Sequence, residues 1–240
     1  MSKSASSGGQ EYLVSVSDLM AGLIFIFIIT LMIFVLQFQT ITASLQSAEG
    51  TRGVILTKLA DELGAEGLEV EIVEEQGILR LTGNSVNFAF GATDPIPDHL
   101  RRIDLLGRVM LRVLPCFVHP PPEPTCEELE VDRVIYSGLL SLVLIEGHTD
   151  AAPVGRSSRF RDNVELSGLR AASVYRLLRA SHPTLDSILV RPGERRERIL
   201  SISGYGAQRR LAGLDSLDSA HRRIDLRFLM EPARDGIPAS

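Results

Sequence analysis

Between Leu19 and Phe38 the chain carries no charged residue, and this uninterrupted apolar run constrains everything else it can become. At a rise of about 1.5 Å per residue, a helix of that length covers the roughly 30 Å hydrocarbon core of a bilayer. The run predicts one transmembrane helix over 13–40, preceded by a Ser/Gly-rich tail over 1–12. A secretory leader would have a shorter apolar core and a small-residue cleavage site. Here the run ends in Val35, Leu36, Gln37, Phe38 and Gln39, so the span is expected to stay in the chain. Charge marks its orientation weakly, since Lys3 is the only basic residue before it and Arg52 the first one after it.

A lone carboxylate, Asp18, stands at the entrance to this span. Moving an ionised carboxylate into hydrocarbon costs several kcal/mol, so such a group is normally protonated, paired or turned toward a water path. That points to ion handling. A capping role is equally open on the residues alone, because an aspartate near Ser15 and Ser17 also suits a helix N-terminus in the headgroup region.

Of the 240 residues about 200 follow the span, enough for one ordinary domain. The net charge of −5 and the mixing of arginines with acids argue against a nucleic-acid footprint, and the cluster Arg195, Arg196, Arg198, flanked by Glu194 and Glu197, reads as a solvated loop. Cys116 and Cys126 bracket a proline-rich stretch from His119 to Pro124. Ten residues apart, they either form a disulfide worth about 2 to 3 kcal/mol in an oxidising compartment or remain two thiols. There is no nucleophile elbow, no phosphate-binding glycine loop and no histidine set at metal spacing, so no catalytic residue, metal or cofactor is expected.

After the span, 41–67 reads as a connector with a helix from Thr51 to Leu63, its apolar positions being Val54, Ile55, Leu59 and Leu63. Strands are expected at 68–73, 78–81 and 85–90, a helix at about 98–114, and a strand at 139–146 running into Gly147, His148, Thr149 and Asp150. A helix from near Ser167 and strands at 199–203 and 224–230 follow, with a tail over 233–240. The β-α-β-α-β-β order predicts an α+β sandwich with helices on one sheet face.

Four ordered elements within this stretch resemble a known family. They are Gly147-His148-Thr149-Asp150; Asn163, Leu166, Ser167, Arg170, Ala171 and Val174; Gly204-Tyr205-Gly206; and Arg222-Arg223-Ile224. Together they resemble the OmpA-like peptidoglycan-binding domain, over 68–232. The resemblance implies that Asp150 and Arg170 grip the diaminopimelate of the wall peptide, a zwitterion, with a carboxylate for its ammonium and a guanidinium for its carboxylate. It also implies that Thr149, Asn163 and Arg223 line that site. Without the resemblance, a simple Asp150–Arg170 pair is the alternative. His148 reads as structural. The chain departs from the family pattern at His221, where asparagine is common, in a long loop between Asp150 and Asn163, and in lacking a proline after Gly204-Tyr205-Gly206.

A single span with an acid at one end, a short connector and an OmpA-like domain is similar to the B subunits of ion-driven stators. The resemblance implies a cytoplasmic N-terminus, a periplasmic domain, a homodimer of B helices inside a ring of MotA- or ZorA-like membrane subunits, and Asp18 as the ion carrier. An acid screened from water holds its proton and releases it when a water path opens. Each charge crossing 100 mV gains about 2.3 kcal/mol. The segment Ser17 to Phe25 resembles the ZorB subunits of Zorya anti-phage systems more than flagellar MotB, whose Tyr-Ala-Asp-Phe-Met pattern and basic tail are missing. A flagellar MotB-type subunit and a passive wall anchor remain the alternatives.

Overall fold

The computed structural model describes residues 7–83, 85–118, 125–131, 139–155, 159–190 and 197–231, with side chains from residue 15 onward and without that of Thr125. The proline-rich stretch 119–124, the basic loop up to residue 196, and the tails 1–6 and 232–240 lie outside the described residues.

The first element, α1, is a continuous helix Ser7–Ala65. Up to Gln46 it forms one unit of the chain, and the remainder from Ser47 belongs to the other. In the first unit the apolar side chains point outward on every side: Leu19 is 71% exposed, Phe25 64% and Phe34 63%. A helix apolar all round with nothing of its own chain covering it is suited to hydrocarbon, not to water. Its threonine hydroxyls are satisfied locally. Thr30 Oγ1 donates to the Ile26 carbonyl at 2.8 Å and Thr42 Oγ1 to the Phe38 carbonyl at 2.8 Å, so neither hydroxyl needs water.

The second unit is an α+β domain. Its strands are β1 (Val70–Val73), β2 (Ile78–Leu81), β3 (Leu140–Gly147), β4 (Leu189–Val190), β5 (Glu197–Arg198), β6 (Leu200–Gly204) and β7 (Ile224–Met230). Five of them form one sheet in the order β1-β2-β7-β3-β6, antiparallel except for the β3–β6 pair, while β4 and β5 form a small hairpin. The helices are α2 (Leu100–Val113), the single turn α3 (Thr125–Glu128) and α4 (Asn163–Ser181). Alternation along the strands sends Leu79, Leu81, Val143, Ile145, Leu226 and Phe228 to one face, where they are fully buried with Ile103, Met110 and Val113 of α2 and Val174 and Leu178 of α4. Ile55, Leu56, Leu59 and Leu63 of α1 are in the same core. The segment read as a connector therefore contributes core residues to the domain from Ala48 on.

The opposite face carries a row of charges in register: Glu71 opposite Arg80, Arg80 opposite Asp225, and Asp225 opposite Glu146. Cys116 and Cys126 are joined in a disulfide, with Cα atoms 5.6 Å apart and both residues buried.

The expected strand at 85–90 is absent; only an isolated bridge links Phe88 with Pro95. Two of its carbonyls meet side chains, with Arg222 Nε on the Phe88 carbonyl at 3.0 Å and Arg170 Nη2 on that of Ala89 at 3.3 Å, while the Asn87 and Ala89 carbonyls accept from the Ile96 and Ala92 N–H groups at 3.1 Å, closing turns instead of a ladder. Helix α4 also begins four residues earlier than Ser167. Asp162 caps it, accepting from the Glu165 N–H at 2.8 Å, while Glu165 Oε2 accepts from the Arg161 N–H at 2.7 Å, a variant of the reciprocal capping box.

Candidate functional site

The site lies where β3 and β6 end side by side under the first turns of α4. Gly147 and Gly204 are register partners across the parallel pair. A Cβ on Gly147 would strike the Ser167 carbonyl, and one on Gly204 would lie 2.5 Å from the Gly168 nitrogen. Two glycines side by side thus let the helix backbone rest directly on the strand ends. Ser167 locks the arrangement: its Oγ donates to the Val164 carbonyl at 2.8 Å and accepts from the Gly206 N–H at 2.8 Å. Gly206 has φ +55, a left-handed conformation that favours glycine. Arg170, three residues beyond Ser167, is thereby held over the strand ends.

Arg170 is fully buried and meets no carboxylate among the described residues. Its Nε donates to the Ala92 carbonyl at 2.9 Å, Nη1 to that of His148 at 3.3 Å and Nη2 to that of Ala89 at 3.3 Å, with its guanidinium 5.0 Å from the centre of the Phe88 ring. Three of the five guanidinium N–H groups are used in this way, and two have no partner among the described residues. Burial pulls its pKa down to about 10, helped by Arg222 and opposed by Asp150, so it stays a cation at neutral pH.

Asp150 does not pair with Arg170. Its Oδ2 accepts from Arg222 Nη1 at 2.8 Å and its Oδ1 from the Ala152 N–H at 3.2 Å. Asn163 Nδ2 donates to the Ala152 carbonyl at 2.9 Å. Thr149 Oγ1 is buried and has no hydrogen-bond partner among the described residues. All of these side chains line one cleft of about 130 Å³, with Phe90, Phe160 and Leu166 as its apolar wall. Two cations and one anion face it, so it has charge left over for a ligand carboxylate beside a carboxylate able to accept from an ammonium.

Four of the five residues expected at this site are brought together: Asp150, Arg170, Thr149 and Asn163. Arg223 is not. It turns to the other sheet face, where its Nε lies 3.1 Å from Asp225 Oδ1 and its Nη2 donates to the Arg209 carbonyl at 3.0 Å. Arg222 takes its place in the cleft. The signal was in the sequence: neighbours at a strand end point to opposite faces, and Arg223 sits two residues from acidic Asp225 and so shares its face.

Behind the site, Glu146, His148 and Asp225 lie close enough for their ligand atoms to converge within 4.8 Å. Arginines already occupy these carboxylates. Arg227 meets Glu146 at 2.6 and 3.0 Å, Arg209 meets it at 3.4 Å, and Arg223 and Arg80 meet Asp225 at 3.1 and 3.4 Å. Four guanidinium groups around two acids oppose a divalent cation, so this is a buried ion network. Burial lowers the His148 pKa and keeps its ring neutral at 3.3 Å from Asp225. Burial works against the Asp225 charge too, but the His148 contact and Arg223 outweigh it and hold its carboxyl below the ordinary value. His221 anchors the loop before β7, with Nδ1 accepting from the Leu211 N–H at 3.2 Å.

The domain is thus an α+β fold with an ionic cleft at its strand ends, in a chain with one span-length apolar helix. No family model and no curated protein matches the chain. Among solved structures it is similar to a MotB-like protein from Desulfovibrio vulgaris, at 22% identity over 82% of this chain and 99% of that one, TM-score 0.46. It is similar to the periplasmic domain of Helicobacter pylori MotB, at 19% identity over 66% and 75%, TM-score 0.43. A third similar structure is the cell wall anchor of the type VI secretion system of Pseudomonas aeruginosa, at 16% identity over 74% and 97%, TM-score 0.44.

Proposed function

We propose that this chain is the wall-gripping subunit of an inner-membrane, ion-driven motor complex of the ZorB type, acting in anti-phage defence. One observation carries the wall-binding half: Arg170 is buried, is held by three carbonyls and by no carboxylate among the described residues, and lines a cleft shared with Asp150. A zwitterionic diamino acid is the ligand that uses both. Its carboxylate takes the fork of Arg170, and its ammonium joins Asp150 beside Arg222. Thr149 and Asn163 supply neutral polar contacts. The disulfide supports an extracytoplasmic domain, since such bonds persist in oxidising compartments. The N-terminus is then cytoplasmic, and Asp18 lies near the cytoplasmic end of the span.

In this reading two copies of α1 stand inside a ring of MotA- or ZorA-like subunits, and Asp18 takes up and releases the driving ion, a proton. The chain catalyses no bond chemistry. The test has two arms. The full chain in detergent micelles should bind purified wall sacculi and free diaminopimelate, and a chain that ignores both removes the wall-binding half. In cells, Asp18→Asn should leave assembly with the ring subunits intact while abolishing protection against phage. Full protection by that variant would reduce the chain to a passive wall anchor.

A further inference from the structure

Within the uncharged run Leu19–Phe38 only Thr30 and Gln37 carry a polar side chain, and seven residues separate them. Ser44 follows after another seven. On a helix of about 3.6 residues per turn a step of seven returns to nearly the same side, so the three lie along one face of the first unit of α1. Ile26, Ile33 and Thr40 complete that face in alternating steps of three and four. This is the spacing of the seam in a left-handed pair of helices, in water and in membranes alike.

The hydroxyls on this face are already satisfied by their own helix. Thr30 Oγ1 donates to the Ile26 carbonyl, Thr40 Oγ1 to that of Gln37 and Ser44 Oγ to that of Ile41, each at 2.8 Å. Gln37 differs: its side chain is exposed and its amide has no hydrogen-bond partner among the described residues. An amide turned to hydrocarbon without a partner is costly. Carrying two donors and an acceptor, it is also self-complementary, so two glutamine amides brought face to face exchange reciprocal N–H···O bonds. A parallel second copy of the same helix in the same register supplies that partner.

We propose that two copies of α1 meet along the Thr30–Gln37–Ser44 face and that Gln37 fixes their register by bonding to its counterpart across the two-fold axis. The proposal rests on the paired helices of the motor reading above, and it adds which face they share and which side chain aligns them. Gln39, two positions on, lies on the opposite side of the helix and takes no part.

Cys116 and Cys126 are bonded to each other, so an introduced cysteine is the only free thiol in the chain. The experiment is oxidative cross-linking of the full chain in phosphatidylethanolamine–phosphatidylglycerol vesicles at low protein-to-lipid ratio. Ile26→Cys and Ile33→Cys report on the proposed face, and Ile28→Cys and Val35→Cys on the opposite one. Cross-linked dimer is expected from the first pair and not from the second. In the Ile33→Cys chain, Gln37→Leu should weaken dimerisation about threefold to tenfold, the effect of one side-chain hydrogen bond between helices in a bilayer, whereas Gln39→Leu should not. Cross-linking that is equal on the two faces, or stronger from positions 28 and 35, overturns the seam and leaves the pairing of α1 standing. An unchanged dimer in Gln37→Leu, or an equal loss in Gln39→Leu, overturns the role of Gln37. No cross-linking at any of the four positions overturns the paired helices of the motor reading, and the seam with them.

Discussion

Arg170→Lys keeps the formal charge and removes the fork, so it separates electrostatics from geometry at the centre of the cleft. The arginine joins three carbonyls from two segments, those of Ala89 and Ala92 and that of His148. One ammonium at the end of a flexible stem cannot meet all three in the same directions. The Ala89 carbonyl keeps the Ala92 N–H at 3.1 Å, so of the other two at least one loses its partner, and an unsatisfied buried acceptor costs about 1 to 3 kcal/mol, which makes a loss of about 2 kcal/mol reasonable. In a domain of this size each kcal/mol moves the midpoint by about 2 to 4 °C, so thermal unfolding should shift down by about 4 to 8 °C. The segment Phe88–Ala92 loses its clamp, and diaminopimelate affinity should fall at least tenfold, because bidentate recognition is lost. The same burial that lowers the arginine to about pH 10 acts on an amine that starts near 10.4, so the variant's remaining binding should improve as pH falls. Circular dichroism melts and calorimetry on the full chain in micelles check both effects. A midpoint within 2 °C of wild type, or undiminished diaminopimelate affinity, would refute the role given to the fork.

Adjacent Arg222 and Arg223 should behave oppositely. Arg222→Ala should weaken diaminopimelate binding by leaving Asp150 and the Phe88 carbonyl without their partner, whereas Arg223→Ala should spare binding and lower stability by about 3 kcal/mol through the buried Asp225 it abandons. Denaturant melts and titrations on both variants test the contrast, and equal binding losses would contradict it. His148 sets a pH dependence. Its folded-state value is held below 6.5, so the unfolded chain takes up the proton first as pH falls. Stability is full above about pH 6.5 and is lost as pH drops through that value toward the folded one, by up to about 1.4 kcal/mol per unit. His148→Asn should flatten this slope in unfolding measurements between pH 7 and 5, and an unchanged slope would assign it to another group.

What could be read from the residues follows from the range of the interactions involved. The long apolar helix, the strands near 78–81, 139–146, 199–203 and 224–230, and α2 come from local pattern, in which apolar spacing and prolines act within a few residues, and the structure has them. The alternation at 85–90 is real but makes no strand, because partners of its carbonyls are far away: Arg170 and Arg222 lie about 80 and 130 positions along the chain, and no local rule announces that side chains will meet them. Arg223 differs for the opposite reason: the local rule sends it to the Asp225 face, while the family pattern implies the cleft. The pairing of Asp150 with Arg222 instead of Arg170 decides how the cleft can work. A direct Asp150–Arg170 pair would have satisfied both charges and closed the site to a zwitterion. With Arg222 neutralising the acid, Arg170 remains a buried cation that meets no carboxylate among the described residues, and burying a charge unpaired is costly unless something arrives to meet it. The three carbonyls that Arg170 holds keep that cost tolerable without cancelling its charge. The cleft is therefore charged before any ligand arrives, and an incoming carboxylate meets no Asp150–Arg170 ion pair that would have to break.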